Sequence, residues 1–133
     1  MGKTLIRNGK AGADDWTFDR LAADGIEVAE FLRQHLGQDK VILLAHSQGT
    51  TMACTPDWLG TSFDVPVLLL HGDQDMHAVT AVAQEYFASI EAPAKDLVLL
   101  DGLGHMAPFV RPDLIETELI TRIRPLATRA CRA

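Results

Sequence analysis

The stretch VPVLLLHGDQD, residues 65–75, contains a short apolar run, Val67 to Leu70, that stops at His71. A continuous apolar run of this length is typical of a strand that is covered on both faces in a parallel sheet. The runs Val41 to Ala45 and Leu97 to Leu100 follow the same pattern. The sequence therefore predicts a small parallel sheet of about three strands.

Segments with apolar residues at helical spacing alternate with these strands. The first of them has a helix cap at Asp15 or Thr17 and a stop signal at Gly37. This alternation predicts an α/β fold, and the length of 133 residues predicts one domain over residues 1–133. The predicted helices are Thr17 to Leu36, a short one from about Gln48 to Pro56, about Ala78 to Ile90, and about Asp113 to Ile123.

Charge and composition argue against several classes of partner. The formal net charge is -6 at pH 7 and the chain has no block of lysine or arginine, so no nucleic-acid partner is expected. No apolar run suggests a membrane span or a signal peptide, which makes a cytoplasmic location the expectation. Cys54 and Cys131 are too few and too scattered for a disulfide framework or a metal site, and we expect no metal or cofactor.

Residues with catalytic side chains follow each of the three predicted strands. Ser47 follows the first, Asp73 and Asp75 follow the second, and His105 follows the third. Ligands of parallel α/β sheets bind beyond the carboxyl ends of the strands, where such residues converge. A serine hydroxyl needs an imidazole to take its proton and a carboxylate to orient that imidazole. The order serine, aspartate, histidine therefore predicts a catalytic triad.

The neighbours of Ser47 support its role as the nucleophile. A sharp turn from strand to helix is tolerated when the residues two positions away are small, and these are Ala45 and Gly49. The backbone amide of Gln48 would then lie at a helix N-terminus, where it can stabilise a developing oxyanion. A serine that only caps the helix is the structural alternative.

Three stretches of the chain resemble the α/β-hydrolase superfamily, in the branch of proline iminopeptidase-like hydrolases and related esterases. They are TFDRLAADGIEVAEFLRQHLGQDKVILLAHSQG (17–49), VPVLLLHGDQD (65–75) and DGLGHMAPFVRPD (101–113). The resemblance implies a three-layer sandwich of helices around the sheet. It also implies that Ser47 is the elbow nucleophile, Asp75 the acid and His105 the base, with Ala45 where a glycine is more common.

Two blocks of the family pattern are missing from the sequence. The N-terminal strands, with the loop that supplies a second oxyanion donor, have no counterpart, and neither does the lid of helices between Ser47 and Asp75. The resemblance thus implies a truncated hydrolase with an open cleft. A strand that lacks its usual neighbour invites pairing with another copy, so we expect a homodimer or a higher oligomer.

These observations predict a serine-dependent hydrolase of small-molecule carboxylic esters with short acyl chains. Two alternatives stay open: a proline iminopeptidase-like aminopeptidase, and a catalytically weak or inactive hydrolase remnant or interaction module. We expect Asp73 to stabilise its loop. The remaining histidines are expected to be structural (His46, His71) or exposed (His35, His77). Met52, Met76 and Met106 could line an apolar pocket and stay unassigned.

Overall fold

The computed structural model describes residues 17–47 and 61–129. The chain divides into two compact units, residues 1–58 and 59–133, while the single domain over residues 1–133 stays a prediction. In the first unit the described helix is α1, Phe18–His35. The second unit holds β1 (Val67–Gly72), α2 (Thr80–Ser89), β2 (Lys95–Leu100), α3 (Ala107–Val110), α4 (Pro112–Glu118), a π-helical turn (Leu119–Ile123) and α5 (Arg124–Arg129). None of the described helices is long and apolar enough to cross a bilayer.

Both ends of α1 follow from the sequence. The hydroxyl of Thr17 accepts the backbone N–H of Arg20 at 3.2 Å, as expected of a helix cap. At the other end Gly37 has a φ of 60°, and its N–H donates to the Gln34 carbonyl at 3.2 Å. The N–H of Gln38 donates to the Arg33 carbonyl at 2.9 Å, so two of the last carbonyls of the helix are satisfied. The prediction of a helix from Thr17 to Leu36 is therefore confirmed to within a residue.

The predicted strand Val41 to Ala45 is not found, because residues 40–46 have no regular secondary structure. The side chains of residues 41–44 are between 44% and 73% exposed. An apolar run gains the geometry of a buried strand only if a neighbouring backbone pairs with it. No strand among the described residues pairs with this segment. The helix predicted from about Gln48 to Pro56 lies outside the described residues.

The sheet of the second unit has two parallel strands, β1 and β2. Val67 pairs with Lys95 at one end of the ladder and Gly72 pairs with Leu100 at the other. A short bridge from Ser62 to Glu91 lies outside the two strands. The prediction of a small parallel α/β fold is confirmed. The described part of the chain has two strands in this sheet rather than the predicted three.

The helix between the strands contacts β1 and ends beside the start of β2. The ammonium of Lys95, the first residue of β2, donates to the carbonyls of Phe87, Ala88 and Ile90, at 3.0, 3.3 and 2.6 Å. A cation that satisfies the last carbonyls of a helix also opposes the negative end of its dipole. This contact holds the C-terminus of α2 against β2.

A small apolar core lies beneath the carboxyl ends of the strands. Leu100, Ala107 and Ile115 are buried together, and four half-buried side chains pack against them: Leu70, Val98, Leu103 and Leu119. The core therefore joins both strands to the helices that follow β2. The helix predicted over Asp113 to Ile123 begins one residue earlier and continues through the π-helical turn to Arg129.

Replacement of glycine by alanine should have opposite effects on stability at two positions of the first unit. Gly37→Ala forces an alanine into positive φ and lowers the free energy of unfolding by about 1 kcal/mol, whereas Gly25→Ala, inside α1, raises it by about 0.5–1 kcal/mol. An added Cβ has no atom within 4 Å at either position, so packing does not contribute. Urea unfolding followed by circular dichroism measures both effects, and equal signs would contradict the capping role of Gly37.

Candidate functional site

The loop after β1 carries a buried carboxylate. Asp75 has a side chain that is 6% exposed, and its Oδ1 accepts the backbone N–H groups of His77 at 2.8 Å and Ala78 at 2.9 Å. The side chain thereby closes a separate turn, residues 76–79. Val79, with a ψ of 126°, separates this turn from α2, which is why the helix begins at Thr80 rather than at Ala78.

The loop after β2 lies directly against the loop after β1. The N–H of Asp73 donates to the Leu100 carbonyl at 3.2 Å, and the N–H of Gln74 donates to the Leu103 carbonyl at 2.9 Å. A Cβ added to Gly72 would lie 2.3 Å from the Leu103 carbonyl oxygen. Only a glycine lets the two loops approach this closely.

The close approach brings Asp75 and His105 together. Asp75 Oδ2 lies 2.8 Å from His105 Nδ1, and the His105 side chain is 21% exposed. Two residues that the sequence assigns to one triad therefore form a hydrogen-bonded pair within the second unit. Asp73 is exposed, so the contact favours Asp75 over Asp73 as the partner of His105.

Burial and hydrogen bonding act in opposite directions on Asp75. Burial by itself raises the pKa of this carboxyl group, but the hydrogen bonds from Ala78, His105 and His77 outweigh it and lower the pKa to about 2. The carboxylate is therefore ionised at neutral pH and can only accept hydrogen bonds. It follows that Nδ1 of a neutral His105 ring carries the proton and donates it to Asp75, so the lone pair of the ring is on Nε2.

Ser47 belongs to the first unit and is exposed at the end of the irregular segment of residues 40–46. Its φ is 56°, and it is the one non-glycine residue with positive φ in the described ranges. Such a conformation costs about 1–3 kcal/mol and is enriched at functional sites. Gln48, the predicted oxyanion donor, and Gly49 lie outside the described residues, while Ala45 is half-buried.

A cleft of about 400 Å³ lies beside His105 in the second unit. Its lining is mostly apolar, with Met76, Leu103, Met106 and Val110 beside the rings of His77 and His105. Met76 and Met106, which the sequence left unassigned, thus line a pocket. His71, which is expected to be structural, is buried and does not line this cleft. Across the described ranges no three His, Cys, Asp or Glu side chains are grouped to hold a metal ion.

His77 is a member of the site that the sequence-based triad does not include. It is exposed, as expected, and in addition its backbone N–H donates to Asp75 Oδ1 and its ring centroid lies 4.9 Å from that of His105. The sequence offered one indication of the backbone contact, because an aspartate side chain commonly accepts a hydrogen bond from the N–H two residues later. The ring contact had no such signal, because it joins two separate loops.

Comparison with protein-family models, with curated proteins and with solved structures finds no match to this chain. The α/β-hydrolase resemblance consequently rests on the quoted stretches alone.

Substitution of Gly72 tests whether a glycine is needed here for the two loops to bring Asp75 and His105 together. Gly72→Ala pushes the Leu103 carbonyl away and lowers the free energy of unfolding by about 1–3 kcal/mol. Gly104→Ala is the matched control, because its Cβ would lie 3.5 Å from the Gln74 carbonyl oxygen, an ordinary contact. Chemical denaturation compares the two variants, and a Gly72→Ala protein as stable as the wild type would contradict the close approach.

The low pKa of Asp75 predicts a specific loss of stability in acid. A carboxyl group whose pKa falls from 3.8 to about 2 on folding stabilises the protein above the higher value and stops doing so as pH falls through the lower. The stability advantage of the wild type over Asp75→Asn should therefore shrink by on the order of 2 kcal/mol between about pH 5 and about pH 2. Urea unfolding of both proteins across this range measures the difference. A constant advantage would show that Asp75 is not held ionised by its partners.

Proposed function

We propose that this chain is a serine-dependent hydrolase of carboxylic esters, of the esterase or lipase type, in which Ser47, His105 and Asp75 act as nucleophile, base and acid. The observation that carries the proposal is the 2.8 Å contact between His105 Nδ1 and a buried, ionised Asp75. A carboxylate in this position selects the ring tautomer that a general base needs. It also stabilises the imidazolium that forms when the base takes a proton.

The backbone of Ser47 gives the proposal a second, independent support. A serine with a φ of 56° is expected for a nucleophile on a tight turn, but it is unfavourable for a serine that only caps a helix, since helix caps have extended backbone. The proposal requires Ser47 Oγ to reach His105 Nε2. It includes the α/β-hydrolase-like sandwich that the resemblance implies.

In the first half of the reaction, Ser47 Oγ attacks the carbonyl carbon of the ester while its proton passes to His105 Nε2. The tetrahedral intermediate carries its negative charge on the former carbonyl oxygen, which the Gln48 amide N–H stabilises. The bond to the alcohol then breaks, and His105 returns the proton to the departing oxygen. An acyl group remains on Ser47.

Water completes the cycle. His105 takes a proton from the water molecule as its oxygen attacks the acyl carbonyl, and then gives that proton to Ser47 Oγ as the acid leaves. Throughout both halves Asp75 accepts the Nδ1–H bond and keeps its negative charge. The enzyme returns to its starting state without a metal or a redox cofactor in any step.

The cleft beside His105 supports a short acyl chain as the substrate class. Its volume of about 400 Å³ is near the lower end of the range of small-molecule sites, and Met76, Leu103, Met106 and Val110 offer it an apolar surface. The exposed apolar segment of residues 41–44 supports the further proposal that the protein associates with copies of itself.

A fluorophosphonate probe and short-chain p-nitrophenyl esters test the assignment of Ser47. We expect the wild type to be labelled and to hydrolyse the esters, and Ser47→Ala to remain unlabelled with turnover lower by on the order of a thousandfold or more. Ser89→Ala is the matched control, because Ser89 is an exposed serine at the end of α2 that donates to the Tyr86 carbonyl. Equal rates for wild type and Ser47→Ala would remove the assignment, and a wild type that stays unlabelled would favour the non-catalytic remnant.

A further inference from the structure

His77 and His105 form a contact between two loops that the triad does not require. Their ring centroids are 4.9 Å apart and their planes are inclined by 41°. Aromatic rings attract each other at centroid distances of about 4.5–7 Å in tilted arrangements like this one. His77 is exposed and lies in the turn after Asp75, while His105 lies in the loop after β2. The contact is therefore built by tertiary structure and not by proximity along the chain.

Residue 77 contacts both members of the acid–base pair through different groups. Its backbone N–H donates to Asp75 Oδ1 at 2.8 Å, and its ring packs on His105. The other carboxylate oxygen, Asp75 Oδ2, lies 2.8 Å from His105 Nδ1. Asp75, His77 and His105 thus form a closed cycle of three contacts.

The orientation of an imidazole ring depends on its packing contacts as well as on its hydrogen bonds. The loop that carries His105 contains two glycines, Gly102 at a φ of 68° and Gly104, which add no side chain to the packing around the ring. The ring of His77, from the other loop, adds a packing contact to the His105 ring.

We propose that His77 is a positioning residue that holds the His105 ring in the orientation required by its hydrogen bond to Asp75. The ring of His77 packs against the His105 ring, and the backbone N–H of His77 ties the same residue to the carboxylate. The effect on turnover rests on the proposed function, since it acts through His105 as the base. The effect on the Asp75–His105 hydrogen bond does not depend on any activity.

Three variants separate packing from other roles of His77. His77→Ala removes the ring and keeps the backbone N–H that binds Asp75. His77→Phe restores an aromatic face without a titratable nitrogen. Val79→Ala is the matched control, because Val79 is an exposed side chain at the end of the same turn and does not line the cleft. His77 and Val79 are both exposed, so these truncations leave the fold intact, as circular dichroism would verify.

The first measurement is the proton resonance of His105 Nδ1–H in the nuclear magnetic resonance spectrum, assigned by its absence in His105→Gln. In His77→Ala this proton should exchange with solvent about two- to tenfold faster than in the wild type, the factor that corresponds to loss of one aromatic contact. His77→Phe and Val79→Ala should exchange at the rate of the wild type, within about twofold. An unchanged rate in His77→Ala would overturn the proposal.

The second measurement is turnover of the p-nitrophenyl esters. His77→Ala should lower kcat by about two- to tenfold with little change in KM, and His77→Phe should restore kcat. If His77→Phe is as impaired as His77→Ala in both measurements, the imidazole itself is needed and the packing role is wrong. If the wild type does not hydrolyse esters but the proton exchange changes as expected, the proposed function fails and the positioning role stands.

Discussion

The register of β1 against β2 is the constraint on which the candidate site depends. Because Gly72 pairs with Leu100 at the end of the ladder, both loops leave the sheet at the same level and side by side. Backbone hydrogen bonds from Asp73 to Leu100 and from Gln74 to Leu103 continue the contact beyond the strands. Main-chain pairing thus brings the loops of Asp75 and His105 together, and the two side chains then form their hydrogen bond. A shift of one strand by one residue would turn the side chains of that strand to the opposite face.

The site also shows how a buried charge is stabilised without a lysine or an arginine. Burial opposes the ionisation of Asp75, and no lysine or arginine is among the groups that lower its pKa. Two backbone N–H groups and the His105 ring supply the compensation instead. The carboxylate is therefore bound by donors whose positions are fixed by the turn that follows it. Such an arrangement exists before any substrate binds, which is what preorganisation means for an acid–base pair.

The sequence allowed prediction of the features that depend on local chemistry. Apolar runs predict the strands at Val67 and Leu97, and a capping residue predicts the helix start at Thr17. The positions of Asp75 and His105 in loops after neighbouring strands predict their contact. The segment from Val41 to Ala45 shows what local chemistry does not determine. Its apolar composition favours burial, but a strand also needs a neighbouring backbone to pair with, and that backbone lies elsewhere in the sequence. The start of α2 was missed for a related reason: Asp75 closes its own turn, and the extended backbone of Val79 delays the helix to Thr80. The contact of His77 with His105 depends on the meeting of two loops and has no local signal.

The Asp75–His105 pair and the proposed nucleophile, Ser47, depend on different parts of the fold. The pair lies within one unit, and the hydrogen bonds of Asp75 described above come from His77, Ala78 and His105 of that unit. Ser47 lies in the other unit, and its strained backbone is not supported by a strand ladder in the part of the chain described. Strain of this kind persists only where surrounding structure enforces it, so contacts with the surrounding chain must hold Ser47 in its conformation. Hydrolysis would thus be more sensitive than the Asp75–His105 hydrogen bond to any change that loosens the first unit.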